Sequence, residues 1–161
     1  MSIHKAINLH PVLPPETEAL IPILQAADEG EARIRTTLTD DIHVSYAALD
    51  GEDLIGAATL RWGEESELVY IAVAPGLRGR GYGRAIIELL LVEARLRNVR
   101  SLLVGTANSS LENIAFYQKC GFRLDHVRPD YFAYIQPPIV ENGILMRDMI
   151  VLRYALEAEK R

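Results

Sequence analysis

The sequence predicts one domain of the α/β class, more narrowly of the α+β type, in which helices flank a mixed, mostly antiparallel central sheet. Three stretches with strand-like patterns between residues 42 and 73 are joined by short polar turns, which is typical of an antiparallel meander. A helical pattern then leads to an apolar stretch at 101–106, which suits a central parallel strand reached by a helical crossover. A chain of 161 residues can bury one full core, so we expect residues 1–161 to form a single domain.

The composition is that of an ordinary globular protein, with 49% hydrophobic and 24% charged residues. The net charge of −5 argues against nucleic acid as a partner. No apolar run approaches the roughly 18 residues of a membrane span, and the N-terminus lacks the pattern of a signal peptide. We therefore expect a cytoplasmic protein with no membrane partner.

Cysteine and histidine usage predicts neither a disulfide nor a metal site. The one cysteine, Cys120, cannot form an internal disulfide, which suits a reducing compartment. The four histidines have no spacing typical of metal ligands.

The first part of the chain predicts one short strand and two helices. Residues 3–9 form the strand, which we expect to end before Pro11. Apolar side chains recur with helical spacing over 16–27, and Gly30 lies in the segment that ends this helix. A second, shorter helix is expected over 33–38.

The meander and the helix after it are the clearest elements. The predicted strands are residues 42–49, 54–62 and 67–73. The segment 50–53, Asp-Gly-Glu-Asp, has the composition of a hairpin turn. The helix over 82–97 has a wide apolar face, which implies burial against the sheet.

The last part of the chain predicts a helix over 110–120 and two strands. Ser109 and Glu112 have the spacing of a capping box, and Gly121 occupies the place of the left-handed residue that ends a helix. We expect a long strand over 122–135, broken at Pro129-Asp130, a loop, and a final strand over 144–154.

Residues 67–84 contain the most informative pattern, a strand followed by glycines that open into a helix. The first amides of a helix have no intrahelical partner, and glycine lets an anion approach them closely, so this segment predicts a phosphate site. Arg84 stands where a dinucleotide fingerprint has its third glycine, and no Lys-Ser/Thr pair follows the glycines. Both the nicotinamide fingerprint and the Walker loop are therefore excluded.

Two motifs resemble those of a known family. The pattern Arg78-x-x-Gly81-x-Gly83, placed directly after a strand, resembles the acyl-CoA pyrophosphate loop of the GNAT superfamily of N-acetyltransferases. The pattern Ala115-Phe116-Tyr117-x-x-x-Gly121-Phe122 resembles the second signature of that superfamily, in which a tyrosine lies near the thioester sulfur. Both occur in the family's order, with a strand between them.

The resemblance implies a fold and an activity. The sheet would splay between strands 4 and 5, with a cofactor-binding core at 67–122 and acceptor-side segments at 15–40 and 128–148. Acetyl-CoA would be the co-substrate, and an acetyl group would pass to a primary amine in a ternary complex. The alternatives are a non-catalytic acyl-CoA binding or sensing module on the same fold, and an acetyltransferase for protein N-termini or lysines.

The resemblance also implies site residues. Val73 would supply an oxyanion N–H, and Tyr117 would be the general acid or would merely pack under the cofactor. Residues implied to contact the co-substrate are Ile71, Ala72, Val73, Arg78, Gly79, Arg80, Gly81, Tyr82, Gly83, Arg84, Asn108, Ser110 and Tyr117.

The chain departs from the family pattern at two places. An asparagine that often bonds the cofactor arm is replaced by Ser110, so either Ser110 or Asn108 would make that contact. Gly105 stands where relatives that acetylate protein N-termini carry a glutamate base. Glu67 and Glu141 are the candidate bases in its place, and the alternative for each is a solvated surface charge.

The acceptor is expected to be a small cationic amine, because late polar and aromatic residues could attract a protonated amine and take its proton. These residues are Asp130, Tyr131, Tyr134, Glu141 and Asp148. Asp148 could equally be a paired structural residue. The late strands could also pair between subunits, so a homodimer stays open.

Overall fold

The computed structural model describes residues 7–27 and 30–156. Seven strands form one sheet in the order β1-β2-β3-β4-β5-β9-β6, and β7 and β8 form a separate two-stranded hairpin. The pair β4–β5 is parallel, whereas the other neighbours are antiparallel, so the expected mixed and mostly antiparallel sheet is confirmed. The strands are β1 (Ile7–Val12), β2 (His43–Asp50), β3 (Asp53–Arg61), β4 (Glu65–Val73), β5 (Ser101–Ala107), β6 (Arg123–Arg128), β7 (Val140–Glu141), β8 (Ile144–Leu145) and β9 (Met149–Ala155).

Helices cover both faces of the sheet. They are a 3-10 helix (Glu16–Leu20), α1 (Ile21–Leu24), α2 (Glu31–Thr39), α3 (Tyr82–Leu96) and α4 (Leu111–Lys119). Helix α3 packs in the same core cluster as Ala58 of β3, whereas α1 and α2 pack with Ala57 of β3 and Ala72 of β4. Neighbouring strand residues point to opposite faces, so the sheet separates two apolar layers.

A bulge in β4 sets the shape of the sheet at its centre. The β3–β4 register changes from Leu60 opposite Leu68 to Thr59 opposite Tyr70, which leaves Val69 as the extra residue. The parallel β4–β5 ladder ends at the pair Leu68 and Val104, directly before this bulge. Bulges bend a strand and increase its twist, so the second half of β4 departs from β5.

Two expectations for the N-terminal part are wrong in detail. The helix expected over 16–27 is a 3-10 turn followed by the short α1, because Pro22 lies in the first turn of α1 and cannot continue a helix from upstream. Strand β1 continues through Pro11, which an edge strand tolerates because its outer N–H groups need no partner. The start of the strand expected over 3–9 and the helix end at 28–29 lie outside the described residues.

The C-terminal strands are shorter than expected. Strand β6 ends at Arg128, and β9 begins at Met149. The chain between them folds back on itself, because the amide of Phe132 donates to the carbonyl of Arg147 and that of Met146 to the carbonyl of Ile139. We refer to residues 129–147 as the crossover loop.

Helix α4 ends as expected but begins differently. Gly121 follows the helix with φ +102°, and an added Cβ would lie 2.8 Å from Cε2 of Tyr154, so a side chain is excluded there. The expected capping box is wrong: Ser110 is the N-cap residue and makes no side-chain cap bond. The hydroxyls of Ser109 and Ser110 instead donate to Glu141 of the crossover loop.

Candidate functional site

The open end of β4 presents backbone groups that lack a neighbouring strand. The amide of Ala74 donates to the carbonyl of Ile55, which fixes the alternation of bonded pairs in the antiparallel β3–β4 ladder. Ala72 is therefore bonded to Ala57 of β3, and the peptide groups of Ile71 and Val73 face the gap toward β5. This edge can pair with one extended chain.

The glycine loop continues from this edge into α3. Gly79 and Gly81 have φ values of +77° and +84°, which L side chains rarely adopt, and no heavy atom lies within 4 Å of the position of a Cβ on Gly79. The amide of Ala85 donates to the carbonyl of Gly81, whereas the described residues offer no recorded partner to the amides of Gly83 and Arg84. The loop thus has the open, amide-lined form of an anion site.

Gly83 brings three elements together at the start of α3. A Cβ at this position would lie 3.2 Å from Cζ of Phe116 in α4 and 3.7 Å from Cγ2 of Val73 in β4. The absence of a side chain therefore lets the helix start pack against the open end of β4 and against the helix that carries Tyr117.

The side chains around the loop leave positive charge at its mouth. Within the part of the chain that the structure describes, Arg78 and Arg80 make no ion pair, and Arg84 pairs with Glu88 at 3.3 Å on the helix surface. The hydroxyl of Tyr82 donates to Oδ2 of Asp50 at 3.0 Å, which raises the pKa of Tyr82 and fixes the start of α3 to the β2–β3 hairpin.

Tyr117 is a buried phenol in the middle of an aromatic row. Its side chain is 7% exposed, and its ring makes edge contacts with Phe116 and Phe122 at centroid distances of 5.3 and 5.8 Å. Burial raises the pKa of Tyr117 well above its ordinary value, and nearby Cys120 adds to the effect. The phenol therefore stays protonated at neutral pH, and no hydrogen bond to its hydroxyl is recorded among the described residues.

Glu141 is not a solvated surface charge. Its Oε1 accepts hydrogen bonds from the hydroxyls of Ser110 at 2.6 Å and Ser109 at 3.2 Å, both of which are buried. The adjacent Asn142, which the sequence analysis did not assign a role, donates from Nδ2 to the carbonyl of Ser109 and to Glu112. The β7–β8 turn is thus fastened to the start of α4.

Asn108 has its amide occupied by the crossover loop. Its Oδ1 accepts from the amides of Arg147 and Asp148, at 2.9 and 3.0 Å, and its Nδ2 donates to the carbonyl of Leu145 at 3.0 Å. These bonds hold the loop against the end of β5, so Asn108 acts as a structural residue in this arrangement.

Glu67, the other candidate base, is paired with an arginine, and Gly105, which stands where some relatives have a glutamate, has no room for a side chain. Glu67 accepts from Nη2 of Arg61 at 2.7 Å and lies before the bulge, roughly 13 Å along the strand from Ile71. At Gly105, an added Cβ would clash with the side chain of Met149. Met149 therefore fills the space that a side chain at position 105 would need.

Asp130 of the crossover loop and Asp148, directly after the loop, both make hydrogen bonds within this part of the chain. Nε of Arg147 donates to Oδ1 of Asp130 at 2.8 Å, and the amide of Asp130 donates to Oδ1 of Asp148 at 2.8 Å. Tyr131 packs edge-on against Phe132, and Tyr134 accepts a hydrogen bond from Arg33 of α2. Sequence reasoning missed Arg33, because no local pattern links it to a residue 101 positions away.

The described residues contain neither a candidate metal site nor a candidate membrane-spanning helix. No group of three or more His, Cys, Asp or Glu side chains in this part of the chain is arranged to hold a metal ion. No described helix is long and apolar enough to cross a membrane.

Comparison with known proteins decides the family. The model of the Acetyltransferase (GNAT) family matches residues 13–122. The chain belongs to the GNAT family. It is therefore an acyltransferase, and the resemblance of its two motifs to those of the GNAT superfamily is confirmed as membership of that family.

The relatives of this GNAT protein include enzymes and a ligand complex. YvbK of Bacillus subtilis, an uncharacterized N-acetyltransferase, is 34% identical over 110 residues, covering 66% of this chain and 71% of YvbK. The ribosomal protein bS18-alanine N-acetyltransferase of Escherichia coli is 35% identical over 107 residues, or 66% of each chain. A GNAT acetyltransferase of Elizabethkingia anophelis, solved with acetyl-CoA bound, has a TM-score of 0.85 and 32% identity, covering 94% of this chain and 99% of that one.

Replacing Asn108 should separate a structural role from a role in cofactor binding. We expect Asn108→Ala to lower the free energy of unfolding by about 1–3 kcal/mol, because three hydrogen bonds to the crossover loop are lost. Affinity for acetyl-CoA should stay within a factor of about three. Urea unfolding and calorimetric titration measure the two quantities.

The matched control is Asn113→Ala, on the exposed surface of α4, which should change the unfolding free energy by no more than about 0.5 kcal/mol. A large loss of acetyl-CoA affinity in Asn108→Ala, with unchanged stability, would contradict the structural role.

Proposed function

We propose that this GNAT enzyme transfers the acetyl group of acetyl-CoA to the primary amine of a small acceptor, by direct attack in a ternary complex. The observation that carries the proposal is the open backbone edge at Ile71 and Val73, which leads directly into the glycine loop and the start of α3. The acetyl-CoA complex of a relative with 32% identity supports this choice of co-substrate.

The loop residues fit the diphosphate of coenzyme A. Gly79 and Gly81 adopt backbone conformations that expose peptide N–H groups, and the amides of Gly83 and Arg84 lie at a helix start, where the dipole favours anions. Arg78 and Arg80 would add charge-assisted contacts from the rim of the loop. Tyr82 would act through its anchor to Asp50, which holds the helix start in place.

The open edge fits the amide-rich arm of the same molecule. Ile71 and Val73 would bond to the arm as an added strand, whereas Ala72 is already committed to β3. The N–H of Val73 would then donate to the thioester carbonyl and stabilise the negative charge that develops on its oxygen. Because these contacts use the backbone, side-chain changes here would affect them only through packing.

Tyr117 would supply the proton to the departing thiolate. The amine nitrogen forms a bond to the carbonyl carbon, the carbon–sulfur bond breaks, and the phenol proton passes to sulfur. The pKa of an ordinary phenol is about 10 and that of the thiol product about 8.5, so proton transfer from the phenol to the thiolate costs a small amount of free energy. Burial raises the pKa of Tyr117 and so increases this free-energy cost. The step therefore depends on close positioning of the hydroxyl at the sulfur.

Glu141 is the base that we place first. Its Oε1 is held by Ser109 and Ser110, and no described residue is recorded as bonding to Oε2, which would take the proton of the attacking amine. Ser110 then acts through Glu141 rather than on the cofactor arm. Glu67 is the second candidate, and its distance along β4 requires a water relay.

A small amine remains the acceptor that we favour. The carboxylates in and beside the crossover loop attract its positive charge less than the composition of this segment suggests. Asp130 is paired with Arg147, and Asp148 holds the amide of Asp130, so both serve the loop itself. The 35% identity to an enzyme that acetylates the alanine of a ribosomal protein makes a protein N-terminus the competing acceptor.

The function is tested by binding and by transfer. We expect acetyl-CoA at a hundredfold excess over Kd to stabilise the protein by about 2.7 kcal/mol, seen as a rise in Tm. A panel of polyamines, amino acids, aminoglycosides and peptides, with thiol release as readout, should then give turnover with a small amine. A rise in Tm without any turnover would favour a binding or sensing module, and turnover with peptides alone would replace the proposed acceptor.

Replacing the Tyr117 hydroxyl should reduce turnover without disturbing the fold. We expect Tyr117→Phe to lower kcat by at least about tenfold, with the KM for acetyl-CoA little changed, because the proton donor is lost while the ring packing is kept. Since the raised pKa of Tyr117 keeps the acid form present, wild-type kcat should not fall between pH 7 and about 9.5.

The control for this substitution is Tyr154→Phe, which removes a hydroxyl from the same aromatic row. Its kcat should match that of the wild type. An unchanged kcat in Tyr117→Phe, or a wild-type kcat that falls already between pH 7 and about 9.5, would remove Tyr117 from the mechanism.

A further inference from the structure

We propose that Arg33 and Tyr134 form a bridge between α2 and the crossover loop, over the space beside the open edge at Ile71 and Val73, which we call the acceptor groove, and that this bridge restricts the enzyme to small acceptors. The inference rests on the proposed function, because it assigns the groove to the amine. Nη1 of Arg33 donates to the hydroxyl of Tyr134 at 2.7 Å, and the guanidinium carbon lies 5.2 Å from the centroid of the same ring.

One wall of the groove is fixed to the β4 side of the gap. Helix α2 buries Ile34 and Leu38 in the cluster that contains Ala72 of β4. Ala72 lies between Ile71 and Val73, whose peptide groups face the gap. Helix α1 contacts β4, and α2 packs beside α1 and against β2, so α2 belongs to the β4 side of the gap. Arg33 precedes the buried Ile34 and projects from this wall, with its guanidinium folded over Gly30, where a Cβ would lie 2.8 Å from Nη2.

The other wall is fixed to the β5 side. The crossover loop is held against the end of β5 by Asn108, and its β7–β8 turn is held at the start of α4 by Ser109 and Ser110. Tyr134 lies in this loop, and its neighbours are tied into it, since the amide of Ala133 donates to Asp130 and that of Ile135 to Phe132.

The bridge therefore joins two walls that belong to opposite sides of the gap. Tyr134 is 57% exposed, so apolar burial contributes little to its position and the contacts with Arg33 hold it. A hydrogen bond from a charged donor together with a cation–π contact stabilises this closed arrangement at an exposed site. In this proposal, a small amine enters past this contact while it is closed, whereas a polypeptide chain must displace it.

The experiment compares Arg33→Ala and Tyr134→Leu with the wild type, using Arg35→Ala as the matched control. Arg35 carries the same group on the same helix but pairs with Glu18 and Glu31, away from the crossover loop. The substrates are the small amine most active in the panel and a flexible alanine-terminated hexapeptide, each with saturating acetyl-CoA. Hydrogen exchange of the crossover loop is measured on the same proteins.

We expect both bridge variants to increase the ratio of kcat/KM for the hexapeptide to that for the small amine by about tenfold, mainly through a higher kcat/KM for the hexapeptide, which no longer has to displace the bridge. The KM for acetyl-CoA should stay within a factor of about two. Amides of Phe132, Ala133 and Ile135 should exchange about three- to tenfold faster, because the loop opens more often. Tyr134→Phe, which keeps the ring contact, should lie between the wild type and Tyr134→Leu.

Unchanged exchange, or faster exchange with an unchanged ratio, would overturn the bridge while leaving the proposed function standing. The same effects in Arg35→Ala would also overturn it. If the wild type acetylates no small amine of the panel, the proposed acceptor fails, and the bridge as a size restriction fails with it.

Discussion

The separation of β4 from β5 after Leu68 is the constraint on which the rest of the site depends. A parallel strand pair inside a sheet normally satisfies both sets of peptide groups, and here Val69 interrupts the pairing by adding one residue to β4. The peptide groups of Ile71 and Val73 are then left without a strand, in the middle of the sheet. Both residues are partly exposed, so water can satisfy these groups in the free protein and an extended chain can replace that water.

Each neighbouring element is placed relative to this gap. The bare backbone of Gly83 lets α3 begin beside Val73, which brings the glycine loop into line with the open edge. Helix α4 places Phe116, whose ring contacts Tyr117, beside Gly83, and Met149 fills the space over Gly105 on the β5 side. In the proposed mechanism backbone groups dominate, and few side chains take part directly: the phenol of Tyr117, the carboxylate of Glu141 and the arginines of the glycine loop.

The sequence predicted the conformation of the glycine loop but not the side-chain contacts on the candidate acceptor side, for a physical reason. The glycine loop depends on local conformation, so Gly79, Gly81 and the helix start could be recognised from neighbouring residues. The acceptor side depends on contacts between distant residues, such as Ser110 with Glu141, 31 positions apart, and Arg33 with Tyr134, 101 apart. Local patterns also misled: Ser109 has capping-box spacing, yet its hydroxyl bonds to Glu141, and Pro22 ended a helix that apolar spacing favoured.

Amide hydrogen exchange at single-residue resolution, with and without acetyl-CoA, tests most directly whether the open edge binds the co-substrate. We expect saturating acetyl-CoA to slow exchange of the Ile71 and Val73 amides by at least about tenfold, because they gain hydrogen-bond partners. The Ala72 amide, already bonded to β3, should change much less. Equal exchange rates at Ile71 and Val73 in the free and the saturated protein would contradict the account.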